Sequence, residues 1–372
     1  MLVGVPTEIK TEEYRIAATP VVIHELVARG HDVIVESDAG MGSSINNEEL
    51  TKAGAEIVGS ADEIFERAEL ILKVKEPQLA EIEKLTNDQV LFTFLHLAAH
   101  PRQAEALAES GVTAIAYETV QLASGELPML TPMSEIAGRM AVQAGANYME
   151  RPRGGRGLLI GGATGVPPAT VTIIGAGNAG RNATMVAAGM GASVTLLDIN
   201  SSRLREIDEM RLGRVLTVQS SRSAIDHYVP ISDLIIGAVL VTGARAPVIV
   251  TGDQVERMQT GSVIVDISID QGGCIETARE TTHANPTYSV SGVTHYAVGN
   301  IPGAVPNTST YALTNATMPY VAALAEGIGP AAKRHPELIG GINVAGGRIT
   351  NRAVAESLGS EFTDPRNALH LE

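Results

Sequence analysis

Several short stretches of this chain carry side chains able to do chemistry. In VLFTFLHLAAH (90–100) an apolar run reads as a strand buried on both faces, and His96 is the titratable group set into it. Burying an imidazole costs solvation, yet its proton affinity lies where proton transfer is useful near neutral pH. Taken alone, His96 fits a hydrogen-bonded core histidine; at the end of a strand, it would emerge on the carboxyl edge of a sheet. LILKVKEP (70–77) puts Lys73 and Lys75 two residues apart, on one face of a strand that Pro77 ends, and one of the pair is expected to be structural. Arg15 falls in the loop after the first strand, where a solvated surface arginine is the competing reading. In DISIDQGG (266–273), Asp266 lies within a strand and Asp270 beyond it, so Asp270 is better placed to face a ligand, although a turn aspartate also fits. Cations and a histidine converging on one sheet edge would suit a small anionic substrate, with arginine as a fork and lysine as a point charge.

The strongest local pattern is VTIIGAGNAGRNATMVAAGMGASVTLLDIN (171–200). A strand runs into Gly175, Gly177 and Gly180, a G-x-G-x-x-G at the mouth of a helix. The first glycine allows the tight turn, the second removes a Cβ where a pyrophosphate approaches, and the third lets helix and strand pack. The helix N-terminus offers unpaired N–H groups to phosphates. The next strand ends in Asp198, a carboxylate suited to ribose hydroxyls, which favours NAD over NADP; Arg203 stands nearby.

These residues need a frame. The first 130 residues alternate short apolar runs with helical patterns: LVGVP, a helix opened by Thr19 and Pro20 and closed by Gly30, HDVIVE, LILKVK, VLFTFL and TAIAYE among them. From Ala169 a second series begins, with VTIIG, SVTLLD, RVLTV, DLIIGAV, SVIVDI and TYSV as its strands. Such alternation predicts an α/β chain of two Rossmann-like, doubly wound parallel-sheet domains with a cleft between them. A long helix starting near Ser134 and the glycine-dense stretch 153–168 read as the connection between the domains. The remainder, from NTSTYALTNATMPYV onward, reads as helical and as a return to the first domain. The first domain is therefore expected to be discontinuous, 1–130 plus 305–372, and to hold the substrate; 131–304 is expected to bind the dinucleotide.

Composition bounds the rest. A net charge of -15 argues against nucleic acid as a partner, whose phosphates select basic surfaces. The single cysteine, Cys274, allows no internal disulfide and is expected to be a buried, inert residue. No metal-ligand spacing, basic leader or long apolar span is visible, so the expectation is a cytoplasmic protein without metal or membrane contact.

The motifs GVPTEIK, LILKVKEP, LFTFLHLAA, IAYETVQ, TPMSEIAGRMAVQ, GAGNAG, LIIGAVLVTGARAP, VIVDISIDQGGC and STYALTNATMPYV closely resemble the alanine dehydrogenase family, from residue 1 to about 345 with spacing intact. The resemblance implies reversible, NAD-linked oxidative deamination of L-alanine to pyruvate and ammonium, and a homohexamer. It gives Arg15 and Lys75 to the substrate, and His96 and Asp270 to acid–base work. It gives cofactor contacts to Ser134, to Gly175, Gly177, Asn178, Ala179 and Gly180, and to Asp198, Arg203, Ser220, Val239 and Leu240. They continue on Ile267, Ser268, Ile269 and Asp270, on Arg279, and on Val298, Gly299, Asn300 and Ile301. Ile301 stands where relatives often carry Met, Ser268 where a small apolar residue is usual, and GGATGV replaces a GGVPGV-like loop. Two other readings share the fold: a non-catalytic NAD(H)-binding subunit of a proton-translocating transhydrogenase, and a cyclodeaminase-type lyase that recycles bound NAD.

Overall fold

The structure is a computed structural model that describes residues 1–240 and 246–371. The 241–245 part of the LIIGAVLVTGARAP segment lies outside the described residues. The chain divides into two compact units, one formed by Met1–Met133 with Val305–Glu372 and the other by Ser134–Ala304.

The first unit is built on β1 (Leu2–Val5), β2 (Asp32–Glu36), β3 (Glu56–Val58), β4 (Leu70–Leu72), β5 (Val90–Thr93) and β6 (Thr113–Ala116). Their order is β6-β5-β4-β1-β2-β3, all parallel. The order reverses between β1 and β4, which is the switch point where open α/β sheets bind ligands, outside the carboxyl ends of their strands. Val3, Val5, Ile71, Leu72, Leu91 and Phe92 are fully buried, as near-continuous apolar strands covered on both faces must be.

The second unit repeats the plan with β7 (Thr170–Ile174), β8 (Ser193–Asp198), β9 (Val215–Gln219), β10 (Leu234–Gly237), β11 (Val263–Asp266), β12 (Thr287–Val290) and β13 (Val293–Tyr296). Here the order is β12-β13-β11-β10-β7-β8-β9, and only β12 runs antiparallel. The switch point lies between β7 and β10. The expected fold class, two Rossmann-like parallel sheets, is the observed one.

Four local expectations need correction. The C-terminal remainder is not all helical: β14 (Ile342–Ala345) and β15 (Arg348–Ile349) form an antiparallel hairpin on the β6 edge of the first sheet. INVAGGRI is too short for its period to be read, and a turn of two glycines joins its halves. Ser134 does not start the long helix, which spans Thr131–Tyr148 and so places Ser134 within its first turn. The glycine-dense 153–168 stretch is part of the second unit, where the Arg156 amide donates to Gly261 and the guanidinium pairs with Asp233. Thr19 does precede the helix Pro20–Ala28, but its side chain makes no capping bond.

The long helix touches the glycine turn at Gly138, where a Cβ would overlap the Ala179 carbonyl oxygen. The expected outcome for Gly138→Ala is therefore a displaced turn, seen as a fall of several degrees in Tm and at least tenfold weaker binding of a reduced nicotinamide dinucleotide by fluorescence titration. Unchanged dinucleotide affinity would show that this helix contact does not shape the turn.

Candidate active site

In the first unit, the loops after β1, β4, β5 and β6 carry Arg15, Lys75, His96 and Glu118, and the Lys75 charge acts on His96. Strand β4 ends at Leu72, so Lys73 and Lys75 lie beyond it rather than on its face. Lys73 is the structural one of the two. Its buried ammonium bonds Glu8 at 3.0 Å and Glu81 at 2.8 Å. Burial works against that charge, but the two carboxylates outweigh it and raise the Lys73 pKa. Glu8 also accepts the Val74 amide at 2.6 Å, which fixes the turn carrying Lys75. Lys75 itself is buried, and among the described residues no carboxylate closes an ion pair with its ammonium.

Arg15 is not a solvated surface residue but is buried. Its guanidinium forks onto Glu13, Nε at 2.7 Å and Nη2 at 2.5 Å, and Nη1 lies 3.0 Å from the Met133 sulfur. Its charge is thus already paired within the first unit.

His96 also departs from the reading of a strand residue. Strand β5 ends at Thr93, and His96 begins a short 3-10 turn, Leu97–Ala99, with a left-handed backbone, φ 50°. A non-glycine residue pays about 1–2 kcal/mol for that conformation. Glu118 compensates by accepting the amides of His96 at 2.6 Å and of Leu95 at 3.2 Å, with Nδ1 of the imidazole 4.0 Å away. The ring stacks parallel to Phe94 at 5.6 Å, and Phe94 and Phe92 in turn meet Tyr117 edge-on. Burial, and then the Lys75 charge, push the His96 pKa from 6.5 to about 3, so the resting imidazole is neutral. Its side chain nonetheless keeps 31% of its surface exposed, enough for a reactant to reach it.

In the second unit the expected cofactor residues gather at the carboxyl ends of the parallel strands. Gly175 to Gly180 follow β7, Asp198 ends β8, Ser220 follows β9, and Val239 and Leu240 follow β10. Ile267, Ser268, Ile269 and Asp270 form a 3-10 turn after β11, while Val298 to Ile301 follow β13. Ser134 lies instead on the long helix, and Arg279 lies on the loop before β12, stacked over Tyr288 at 4.3 Å.

The glycines divide the labour as their spacing suggests. Gly175 has φ +104°, and a Cβ on Gly180 would overlap the Gly175 carbonyl oxygen. At Gly177 the nearest atom to an added Cβ is Nη1 of Arg203, 3.9 Å away. That open cradle at the start of the helix Asn178–Gly189 fits a phosphate group with a cation beside it. Asp198 is buried, accepting the Ala176 amide at 2.6 Å and the Asn200 amide at 2.7 Å, so it also shapes the turn.

Asp266 and Asp270 separate cleanly. Asp266 is buried and accepts the amides of Ser268, Cys274 and Ile275 at 2.9–3.1 Å, which makes it the organiser of the turn. Asp270 is exposed, and its Oδ1 accepts the Asn300 amide at 3.2 Å. The buried thiol of Cys274 is pushed up by burial and by Asp266, consistent with an inert residue. Among the described residues no helix is long and apolar enough to cross a membrane, and no cluster of three or more metal-ligating side chains forms.

Two outcomes follow from this geometry. Gly177→Ala should keep the Tm and weaken NADH binding at least tenfold, whereas Gly180→Ala should lower the Tm, because only the second clashes with backbone; differential scanning fluorimetry with and without NADH separates them. The second outcome concerns His96. Its folded pKa lies below the unfolded value, so the unfolded chain takes up a proton first as the pH falls from 6.5, and the fold loses stability. By pH 5 the loss is at most about 2 kcal/mol. The fall in Tm from pH 7 to 5 should be shallower in His96→Gln, and equal slopes would refute the neutral buried imidazole.

Comparison with known proteins agrees with this architecture. Residues 4–137 match the profile for the alanine dehydrogenase/PNT N-terminal domain and residues 141–352 that for the C-terminal domain. The chain is 51% identical over 370 residues to the alanine dehydrogenase of Mycobacterium tuberculosis, covering 99% of this chain and 100% of that one. It is 51% identical over 372 residues to the alanine dehydrogenase of Methanococcus maripaludis, covering 100% of each. Among solved structures it is similar to an L-alanine dehydrogenase, with TM-score 0.93 and 47% identity over 96% of this chain and 99% of that one. A transhydrogenase from Sinorhizobium meliloti is more distant, with TM-score 0.81 and 25% identity over 95% of this chain and 100% of that one. With both domains matched and half of all positions identical end to end, this chain belongs to the alanine dehydrogenase/PNT family.

Proposed function

We propose that this chain is an NAD-dependent alanine dehydrogenase, which oxidatively and reversibly deaminates L-alanine to pyruvate and ammonium. The observation that carries the reading is a buried Lys75 ammonium that forms no ion pair among the described residues and whose charge acts on an imidazole held neutral. A bare cation in a protein interior is costly, and a substrate carboxylate is the partner that makes it stable. Identity of 47% to a solved L-alanine dehydrogenase, against 25% to the transhydrogenase, supports this reading over the non-catalytic subunit.

The second unit would hold the dinucleotide: Gly177 and the helix N-terminus its pyrophosphate, Asp198 its adenosine ribose, and the 267–270 and 298–301 turns its nicotinamide. Ser134, Ser220, Val239, Leu240 and Arg279 complete the proposed contacts. The acidic Asp198 supports NAD, because it would repel a 2′-phosphate. When bound, the nicotinamide supplies a hydride acceptor for the alanine Cα.

The chain's own residues do the rest. Lys75 binds the substrate carboxylate, with Arg15, already paired to Glu13, adding a second positive group. Held by its carboxylate, alanine is oriented before the reaction begins, which removes much of the entropic part of the barrier. With the amine in its neutral form, as alkaline pH favours, loss of hydride leaves an iminium, which water attacks at carbon. Neutral His96 takes the proton from that water; because Nδ1 faces Glu118 at 4.0 Å, Nε2 is the proposed acceptor. The same proton then goes to the nitrogen of the carbinolamine; as ammonia leaves, His96 takes the hydroxyl proton, which yields pyruvate and leaves one net proton on the imidazole to pass to solvent. Asp270 contributes a carboxylate that favours the cationic stages. The reading extends to a cytoplasmic homo-oligomer, hexameric by resemblance, which light scattering of the purified protein would measure.

Protein mixed with NAD and L-alanine at alkaline pH should raise the absorbance at 340 nm, and no rise would refute the proposal. His96→Ala should lose about 10²- to 10⁴-fold in kcat with a stable fold, whereas Lys75→Met should act mainly by raising KM for alanine, on the order of 100-fold. Full activity in His96→Ala would remove His96 from the chemistry.

A further inference from the structure

We infer that Glu76 is a positioning residue for the reaction: its buried carboxylate, bonded on one oxygen and unbonded on the other, sets the charge balance under which His96 accepts and returns its proton. This rests on the proposed role of His96.

Glu76 follows Lys75 directly and is buried. Its Oε1 pairs with the ammonium of Lys10 and lies 3.8 Å from Nε2 of His100. Its Oε2 is buried and has no hydrogen-bond partner among the described residues. Buried carboxylate oxygens normally collect donors, so this one calls for an account. Turn formation does not need it, since Glu8 already fixes that turn through the Val74 amide.

Electrostatics supplies the account. The groups that act on His96 come from four places: Lys10 from the loop after β1, Lys75 and Glu76 from the loop after β4, His100 from the 3-10 turn His96 opens, and Glu118 from the segment after β6. Lys75, Lys10 and His100 oppose a proton on His96, and Glu76 favours one. Glu118 spends its oxygens on the Leu95 and His96 amides, and burial raises its pKa, so it is a weaker source of negative charge. Burial also works against the Glu76 charge, but Lys75, Lys10 and His96 together hold its pKa below the usual carboxylate range. An ionised oxygen without donors is not quenched locally, and its field acts strongly through a low-dielectric interior. Lys10, by contrast, is one-third exposed, and solvent screens it. A substrate carboxylate on Lys75 would cancel the largest opposing charge. The imidazole could then hold its proton between water attack and ammonia release, with the ionised Glu76 as the charge that favours it.

The test is the pH dependence of kcat for L-alanine at saturating NAD, which reports the groups in the substrate complex. Glu76→Gln keeps the shape and removes the charge. The acid limb should move to lower pH by about one unit, with kcat on the plateau down about 3- to 10-fold and KM for alanine nearly unchanged. Glu76→Asp should leave the limb close to wild type. Lys10→Met should move it the opposite way, to higher pH. An unmoved limb in Glu76→Gln, with activity lost only in proportion to a lower Tm, would overturn the inference. If Glu76→Gln alone does not fold, the double variant Lys10→Met/Glu76→Gln, which removes the ion pair as a unit, is compared with Lys10→Met alone, and the same acid limb in both overturns the inference. A wild-type protein that makes no NADH from alanine would instead refute the proposed function, a result this comparison of variants does not imitate.

Discussion

The first unit depends on one buried carboxylate, that of Glu8. It accepts the Val74 amide at 2.6 Å, bonds the Lys73 ammonium at 3.0 Å and touches the Lys75 amide at 3.4 Å. Those contacts join the loop after β1 to the loop after β4 across the point where strand order reverses. Parallel strands leave their carboxyl ends as separate loops; the Phe94 amide donates to the Val74 carbonyl and so ties the loops after β4 and β5, while side chains join those after β1 and β4. Glu8 supplies that tie, and Lys73 makes the carboxylate tolerable in the interior. Replacing the pair by apolar residues could conserve volume, but the tethered amides would lose their acceptor.

Around this tether the charges are arranged by degree of compensation. Arg15 is matched by Glu13, Lys73 by Glu8 and Glu81, and Lys10 by Glu76, whereas among the described residues no carboxylate makes ion-pair contact with Lys75, which Glu76 feels only through its field. Compensated pairs hold geometry; an uncompensated cation holds a function open. The His96 loop follows the same economy of means. Its left-handed backbone is held by Glu118 and its ring by Phe94, so the imidazole needs no conformational search before it meets a reactant.

Much of this was legible in the sequence, and the remainder was not for identifiable reasons. Alternating apolar runs and helices announced two parallel sheets, because strands covered on both faces leave long apolar signatures. The glycine turn was equally readable, since each glycine answers a separate steric demand. Polar partners were the blind spot. Glu8, Glu13, Glu76 and Glu118 look like ordinary charged residues in EIKTEEYR, VKEP and YETV, and pairing across 65 residues leaves no local pattern. The apolar reading of VLFTFLHLAAH also ran too far. The strand stops at Thr93, and His96 escapes it through a backbone conformation that side-chain type does not encode. The hairpin near the C-terminus was missed because strands of four and two residues offer no period to detect.

That hairpin has a consequence for how the molecule is made. Strand β6 ends at Ala116, and the strand that covers its outer edge begins only at Ile342. On the ribosome, the first sheet therefore waits with an exposed row of amides and carbonyls while the whole second unit is synthesised. Unpaired edges are where chains stick to one another, and the wait lasts roughly ten seconds or more at ordinary rates of elongation. The second unit has its own sheet and core and can fold during that interval. The first sheet is completed only when β14 and β15 arrive, so deleting 342–349 would injure a sheet whose other strands were made before the second unit.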